Sequence, residues 1–305
     1  MKKLVALLIA LILVMSVCSA FAEEQKTIAF LPPALISPYY ASCIEGAQAA
    51  ADELGYKLEV NAPESESDYA AQVQLCEDMI QRGVAGIILC AINTDAIVTA
   101  VKRANEAEVP VVMFNVQNEL ADGEVASYVV YDQRAGAYKV ADFLGQLVDG
   151  AECNVAIIEG LPSEHTTERM GGFNDCIEEK YPNIHVVASQ PGDWEREKAM
   201  NAATNMMQAN PEINAFFGLS DEMGLGAVQA VKQAGTDQIV VSFDGTPAAV
   251  DSIKAGEMTC TLSIGGVSTG DACVRQLDKI FKGEECDYFY TIETEVISAE
   301  NVDQF

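Results

Sequence analysis

From residue 25 onward, short apolar runs and helical patterns alternate along the chain. TIAFLP (27–32), KLEV (57–60), GIILCAI (86–92), VPVVMFN (109–115), NVAIIEG (154–160), HVVASQ (185–190), AFFGLS (215–220), IVVSFD (239–244) and MTCTLSI (258–264) read as strands. Most are apolar at consecutive rather than alternate positions, which is the pattern of strands covered on both faces of a parallel sheet. The gaps between them carry helical spacing. Ile44, Ala47, Ala51 and Leu54 fall on one face, and so do Tyr69, Val73, Cys76 and Ile80. Strands alternating with helices predict an α/β protein with parallel sheets.

The series divides near 123–133. GEVASYVVYDQRAG adds a strand there, and the alternation restarts with a helix at about 134–148. Two similar lobes are expected rather than one very wide sheet. CDYFYTIETEVIS (286–298) is a further β segment. No Pro-rich or Ser-rich stretch separates the halves, so the join is read as a strand-like hinge.

Length and composition agree with two lobes, since 305 residues at 50% hydrophobic exceed what one core comfortably fills. The first 22 residues stand apart. Lys2 and Lys3 precede an apolar run, and Ala20-Phe21-Ala22 forms a small-residue cleavage site, so residues 1–22 read as a secretory signal cut after Ala22. Lipid attachment at Cys18 is the alternative; Val17 stands where a small residue is expected. The chain is therefore expected outside the cytoplasm, in the periplasm or on the envelope exterior.

Losing Lys2 and Lys3 deepens the net charge from -28 to -30, 16 basic residues against 46 acidic. Such a surface repels nucleic acid and anionic lipid heads. Eight cysteines remain after cleavage: 43, 76, 90, 153, 176, 260, 273 and 286. Export permits disulfides, with roughly a hundred possible pairings. Several of these thiols lie on apolar faces, where Cys behaves as a small hydrophobe, so at most some are expected to pair.

In open α/β sheets, ligands sit outside the carboxyl ends of the strands. Those ends deliver Ser37, Tyr39 and Tyr40 after the first strand, then Cys90 and Asn115. Further on they deliver Arg169 in a helix start, Trp194, Ser220, Phe243, Asp244 and Ile264. Aromatic rings beside a guanidinium, a carboxylate and small polar groups suit a neutral polyhydroxylated ligand. Ring C–H faces pack on aromatics, and charged forks bond the hydroxyls. Each residue also has a structural alternative. Tyr39, Tyr40 and Trp194 could be packing residues, and Arg169 could pair with Glu168 or Asp175 on the surface. For Asp244, Thr246 is the better helix cap, with Pro247 at the first helical position, which leaves the carboxylate for another role.

Enzyme chemistry finds no support. GVSTG (266–270) fits the form of a nucleophile elbow, but His165 and His185 both lie upstream of it. Two isolated histidines make no metal cluster and read as surface or turn residues. No phosphate-binding glycine loop follows the first strand. Neither cofactor nor metal is expected.

TIAFLPPALISPYY, EGAQAAADELGY, ASQPGDW, LSDEMGLGAVQAVKQAG and FDGTPAAVDSIKAGEMTCTL together resemble the ribose-binding-protein-like family of type I periplasmic binding proteins, the solute receptors of sugar ABC transporters. The resemblance runs through the whole mature chain. It implies two Rossmann-like lobes joined by a three-strand hinge, 26–131 with 265–289 and 132–264 with 290–305, that close on a ligand and meet a permease. It also implies a monomer. Repressors with the same core carry a DNA-binding segment where this chain has its signal.

By motif position, Tyr39 and Tyr40 match a stacking pair, and Arg169 matches an arginine on ring hydroxyls. Trp194 matches a stacking Phe, and Phe243 with Asp244 match a Phe–Asp pair. Asn115 stands where Asp is frequent. Ser37, Cys90, Ser220 and Ile264 replace Asn, Asn, Asn and Gln of ribose binders, and Val116 replaces Arg. Five polar partners are thus shortened or lost, which disfavours ribose. A ligand-sensing subunit for a chemoreceptor or histidine kinase is the alternative reading.

Overall fold

A computed structural model describes residues 25–305; the signal segment, its cleavage site and Cys18 lie outside the described residues. The first half runs β1 (Thr27–Leu31), α1 (Pro38–Leu54), β2 (Lys57–Val60), α2 (Tyr69–Gln81), β3 (Gly86–Leu89), α3 (Thr94–Glu106), β4 (Val111–Phe114) and β5 (Ser127–Val130). The second half runs α4 (Gln133–Val148), β6 (Cys153–Glu159), α5 (Glu164–Lys180), β7 (Ile184–Pro191), α6 (Arg196–Ala209) and β8 (Ala215–Gly218). It continues through α7 (Asp221–Ala234), β9 (Ile239–Asp244), α8 (Pro247–Lys254) and β10 (Cys260–Ser263). The chain then returns with α9 (Gly266–Phe281) and β11 (Phe289–Thr291), and ends near β12 (Glu295–Ser298).

The strands form two six-stranded sheets, ordered β11-β5-β4-β3-β1-β2 and β12-β10-β9-β8-β6-β7. Both repeat one winding. The first strand of each half lies between its second and third, so the order reverses beside β1 and beside β6. A crevice opens at such a reversal, outside the carboxyl ends of the strands. The chain passes between the sheets three times, after β5, β10 and β11.

The strands are apolar throughout because helices cover both faces: β3, β4, β5 and β8 are buried along their whole length. The segment expected as one β element at the tail is two. Its first part, β11, lies parallel to β5, and its second, β12, runs antiparallel to β10. Each sheet thereby gains an edge strand from the same stretch.

On α2 the buried face is Gln72, Cys76 and Met79, with Tyr69 half exposed. Apolar spacing alone pointed elsewhere. Gln72 decides the orientation, because its amide donates to the Cys90 carbonyl at 2.8 Å and accepts from the Ile92 N–H at 2.9 Å. All eight cysteines from Cys43 to Cys286 are free thiols, and seven are buried.

Helix α9 lies across α1 at very close range. A Cβ added at Gly270 would stand 1.8 Å from the Cys43 carbonyl oxygen. Glycine here is a matter of space, and any larger residue forces the helices apart. Gly270→Ala is expected to cost about 1–3 kcal/mol of unfolding free energy, read by urea denaturation. An unchanged midpoint would mean the helix contact is not tight.

Candidate ligand-binding site

Arg169 organises the second lobe's side of the crevice. It lies in the second turn of α5, a helix capped by Ser163, whose hydroxyl accepts from the Thr166 N–H. Its side chain is 4% exposed, so its charge must be met by protein groups. Nε donates to Gln133 Oε1 at 3.0 Å, and one terminal nitrogen donates to the Tyr131 hydroxyl at 2.7 Å. The other donates to the Leu219 carbonyl and to Asp244 Oδ1, the latter at 3.2 Å. The guanidinium also stacks 4.1 Å above the Phe243 ring, with Trp194 at 5.7 Å. The surface pairing with Glu168 and Asp175 belongs to Arg134 instead.

Asp244 is held by this guanidinium and by the Asp221 N–H, 3.4 Å from Oδ2. Burial pushes its carboxyl upward and Arg169 pulls it back. Burial is the larger effect, so the carboxyl stays raised, at about 8, even with the guanidinium 3.2 Å away.

Asp221 ties the surrounding strand ends together. Its carboxylate accepts from the hydroxyls of Ser242 and Thr261, and from both the N–H and hydroxyl of Thr246, at 2.6 and 2.9 Å. Thr246 does stand at the N-cap of α8, but its hydroxyl serves Asp221 and makes no cap bond.

The first lobe contributes a ring cluster. Tyr39 and Tyr40 open α1 with centroids 5.3 Å apart, and Tyr40 meets Phe114 edge-on. Asn115 donates to the Tyr40 hydroxyl at 3.4 Å, and that hydroxyl lies 3.7 Å from the Cys90 sulfur. Burial pushes the Cys90 thiol up to about 12, so it is a neutral thiol and no nucleophile. The Tyr39 hydroxyl and Asn115 Oδ1 are buried without a hydrogen-bond partner. Orphaned polar atoms of this kind are costly unless something else meets them.

The lobes also touch directly. Glu164, first residue of α5, accepts from the N–H groups of Gln117 and Asn118, each at 3.2 Å. Backbone geometry is unusual in the same places. Asn115, Trp194 and Asp244 have φ of 56°, 66° and 126°, in a region that residues other than glycine seldom adopt. Such strain collects at functional sites. Gly160 makes room for the Trp194 indole, which would lie 2.0 Å from a Cβ there.

Of the residues expected from the sequence, Tyr39, Tyr40, Cys90 and Asn115 gather in the first lobe, and Arg169, Trp194, Phe243 and Asp244 in the second. Ser220 caps α7 through Oγ, which accepts from the Met223 N–H. Ser37 sits at the N-cap of α1 with no side-chain cap bond, and Ile264 is buried with no polar atom to offer.

Tyr131, Gln133 and His165 were not anticipated. Tyr131 follows β5, and the strand-end rule finds it once β5 is treated as a strand like the others. His165 lies one turn before Arg169 on α5, which is the signal that a search for metal clusters passes over. It is no surface residue: its Nε2 is buried and unpartnered, while burial and Arg169 push the ring down to about 3.

The periplasmic binding protein domain model matches residues 28–285. The chain belongs to the periplasmic binding protein family. The ribose import binding protein of Haemophilus influenzae is 35% identical to this binding protein over 299 residues, covering 98% of this chain and 100% of the relative. The D-allose-binding periplasmic protein of Escherichia coli is 33% identical over 253 residues, 80% of each chain. A periplasmic solute-binding protein of an ABC transporter from Actinobacillus succinogenes, solved with bound D-allose, superposes with a TM-score of 0.88 at 31% identity, covering 92% of this chain and all of that one.

His165 sets an acid sensitivity in this binding protein. A base held far below its ordinary 6.5 contributes stability that is full above 6.5 and is lost as pH falls towards 3. His165→Gln removes that dependence. Between about pH 6.5 and pH 5, wild type should therefore lose about 1.4 kcal/mol per pH unit relative to the variant, read by denaturation at each pH. Parallel curves would place a freely protonating ring at this position.

Proposed function

We propose that this protein, exported and freed of residues 1–22, captures a sugar or sugar-like small molecule between its two lobes and delivers it to an ABC transporter permease. The lobes are 26–131 with 265–289 and 132–264 with 290–305, acting as a monomer. The observation that carries the proposal is the crevice itself. Buried aromatic rings and unpartnered polar atoms of the first lobe face an Arg169–Asp244 pair of the second, at the strand ends where both sheets reverse. A ligand touching both sets favours the closed arrangement by differential affinity, which is the only way a ligand shifts such an equilibrium.

Tyr39, Tyr40 and Trp194 are the packing surfaces, with Phe243 behind Arg169. Asn115, Arg169 and Asp244 are the hydrogen-bonding groups, and Cys90, Ser37, Ser220 and Ile264 line the space around them. The relatives named for ribose and allose support a monosaccharide-sized ligand. The shortened side chains at Ser37, Cys90, Val116, Ser220 and Ile264 separate this site from a ribose site. Binding and closure require no catalytic step.

A thermal-shift screen over pentoses, hexoses and polyols, followed by calorimetry, tests this. A ligand at a hundred times its dissociation constant should stabilise the protein by about 2.7 kcal/mol. Ribose is expected to bind more weakly than the best ligand; submicromolar ribose affinity would contradict the specificity, and no response across the panel would contradict sugar capture.

A further inference from the structure

One loop of the first lobe is held by groups of the second. Residues 115–120 lie between β4 and β5. The loop is anchored to its own sheet at both ends. The Asn115 N–H donates to the Val129 carbonyl at 3.1 Å, and the Leu120 N–H donates to the Tyr128 hydroxyl at 3.0 Å. Whatever moves this loop therefore moves β5 and the sheet beside it.

Between those anchors the loop meets the other lobe. Glu164 Oε1 accepts from the N–H groups of both Gln117 and Asn118, each at 3.2 Å. The Gln117 side chain reaches the same way, and its Oε1 accepts from the Gln133 N–H at 3.3 Å. Gln133 in turn takes the Arg169 Nε–H on its side-chain oxygen. Two tethers thus run from one loop to the starts of α5 and α4, and the second leads to the guanidinium that organises the crevice.

The needs of its own helix do not account for Glu164. Ser163 already caps α5. A carboxylate in a first turn is stabilised by the free N–H groups of that turn, yet both bonds of Oε1 go to N–H groups of the other lobe. Charge-assisted bonds of this kind are about twice as strong as neutral ones. Helix α5 is also fixed firmly on its own side. A Cβ at Gly172 would stand 2.0 Å from the Arg134 carbonyl oxygen, so α5 lies hard against α4. The bonds therefore join two packed bodies rather than two loose segments.

Resting on the proposal of capture between two lobes, we infer that Glu164 is a positioning residue for closure. It clasps the 115–120 loop, holds part of the ligand-free population in the closed arrangement and keeps Asn115 opposite Arg169, without touching the ligand. Opening the lobes breaks both Glu164 bonds together and hands the two N–H groups to water. The ligand adds its own differential affinity to an equilibrium that the clasp has already shifted. Groups lining the crevice decide what is bound, and Glu164 decides how readily the lobes part.

Amide hydrogen exchange read by NMR, with small-angle X-ray scattering, tests this on the ligand-free mature protein. The variants are Glu164→Ala, Glu164→Gln and Glu168→Ala. Glu168 lies one turn further along α5 and pairs with Arg134 rather than with the loop, so its removal controls for lost charge. In Glu164→Ala the Gln117 and Asn118 amides should exchange about tenfold faster, as expected for losing a charge-assisted bond. Its radius of gyration should rise above the wild-type value. Glu164→Gln keeps an acceptor oxygen and should restore part of both, and Glu168→Ala should match wild type. The sugar giving the largest thermal shift should bring Glu164→Ala to the dimensions of bound wild type, because the ligand closes lobes that the clasp no longer holds. Unchanged exchange at Gln117 and Asn118, or faster exchange with unchanged dimensions, would overturn the clasp and leave sugar capture standing. No response to any sugar would overturn capture, and the ligand-free readings would still decide the clasp.

Discussion

A buried guanidinium must find a partner for its charge and nearly all its N–H groups, and Arg169 finds them on three separate stretches of chain. Tyr131 and Gln133 flank the first crossing between lobes, Leu219 ends β8, and Phe243 and Asp244 end β9. Removing any partner leaves a buried donor unmet, which costs about 1–3 kcal/mol and more for a charged group. The strand ends of the second lobe are thereby fixed relative to the crossing about which the lobes would turn. Asp221 does parallel work one layer deeper, where four donors converge on a fully buried carboxylate.

Within that hydrogen-bonded frame the site holds unfavourable features. Asn115, Trp194 and Asp244 keep backbone conformations that cost energy, and Tyr39 and Asn115 keep polar atoms that the protein does not satisfy. These features sit on both sides of one crevice. Glu164 bridges the same gap to backbone N–H groups of the first lobe, so closure is supported by protein contacts as well as by a ligand.

The fold was legible because burial on both faces writes itself directly into the strands: GIILCAI is apolar throughout apart from its thiol, and in IVVSFD Ser242 is the only polar residue among the four buried positions. The repeated winding followed from the alternation restarting after 130. The strand-end rule also located Asn115, Arg169 and Asp244. Other features are invisible to periodicity. Gln72 is a polar residue that turns α2 to suit the β3 end. Tyr131 looked like part of a boundary. His165 was read alone, although its meaning comes from Arg169 one turn away. Thr246 shows the same limit in reverse, since its cap position was legible and its true partner, Asp221, is 25 residues distant.

The central claim is that ligand held by Arg169 and its network across the crevice closes two lobes. Small-angle X-ray scattering of the mature protein, with and without saturating amounts of the tightest ligand from the sugar screen, tests it most directly. The radius of gyration should fall on binding in the wild type and stay unchanged in Arg169→Ala at the same ligand concentration. Tight binding with no change in wild-type dimensions, or full closure in Arg169→Ala, would contradict it.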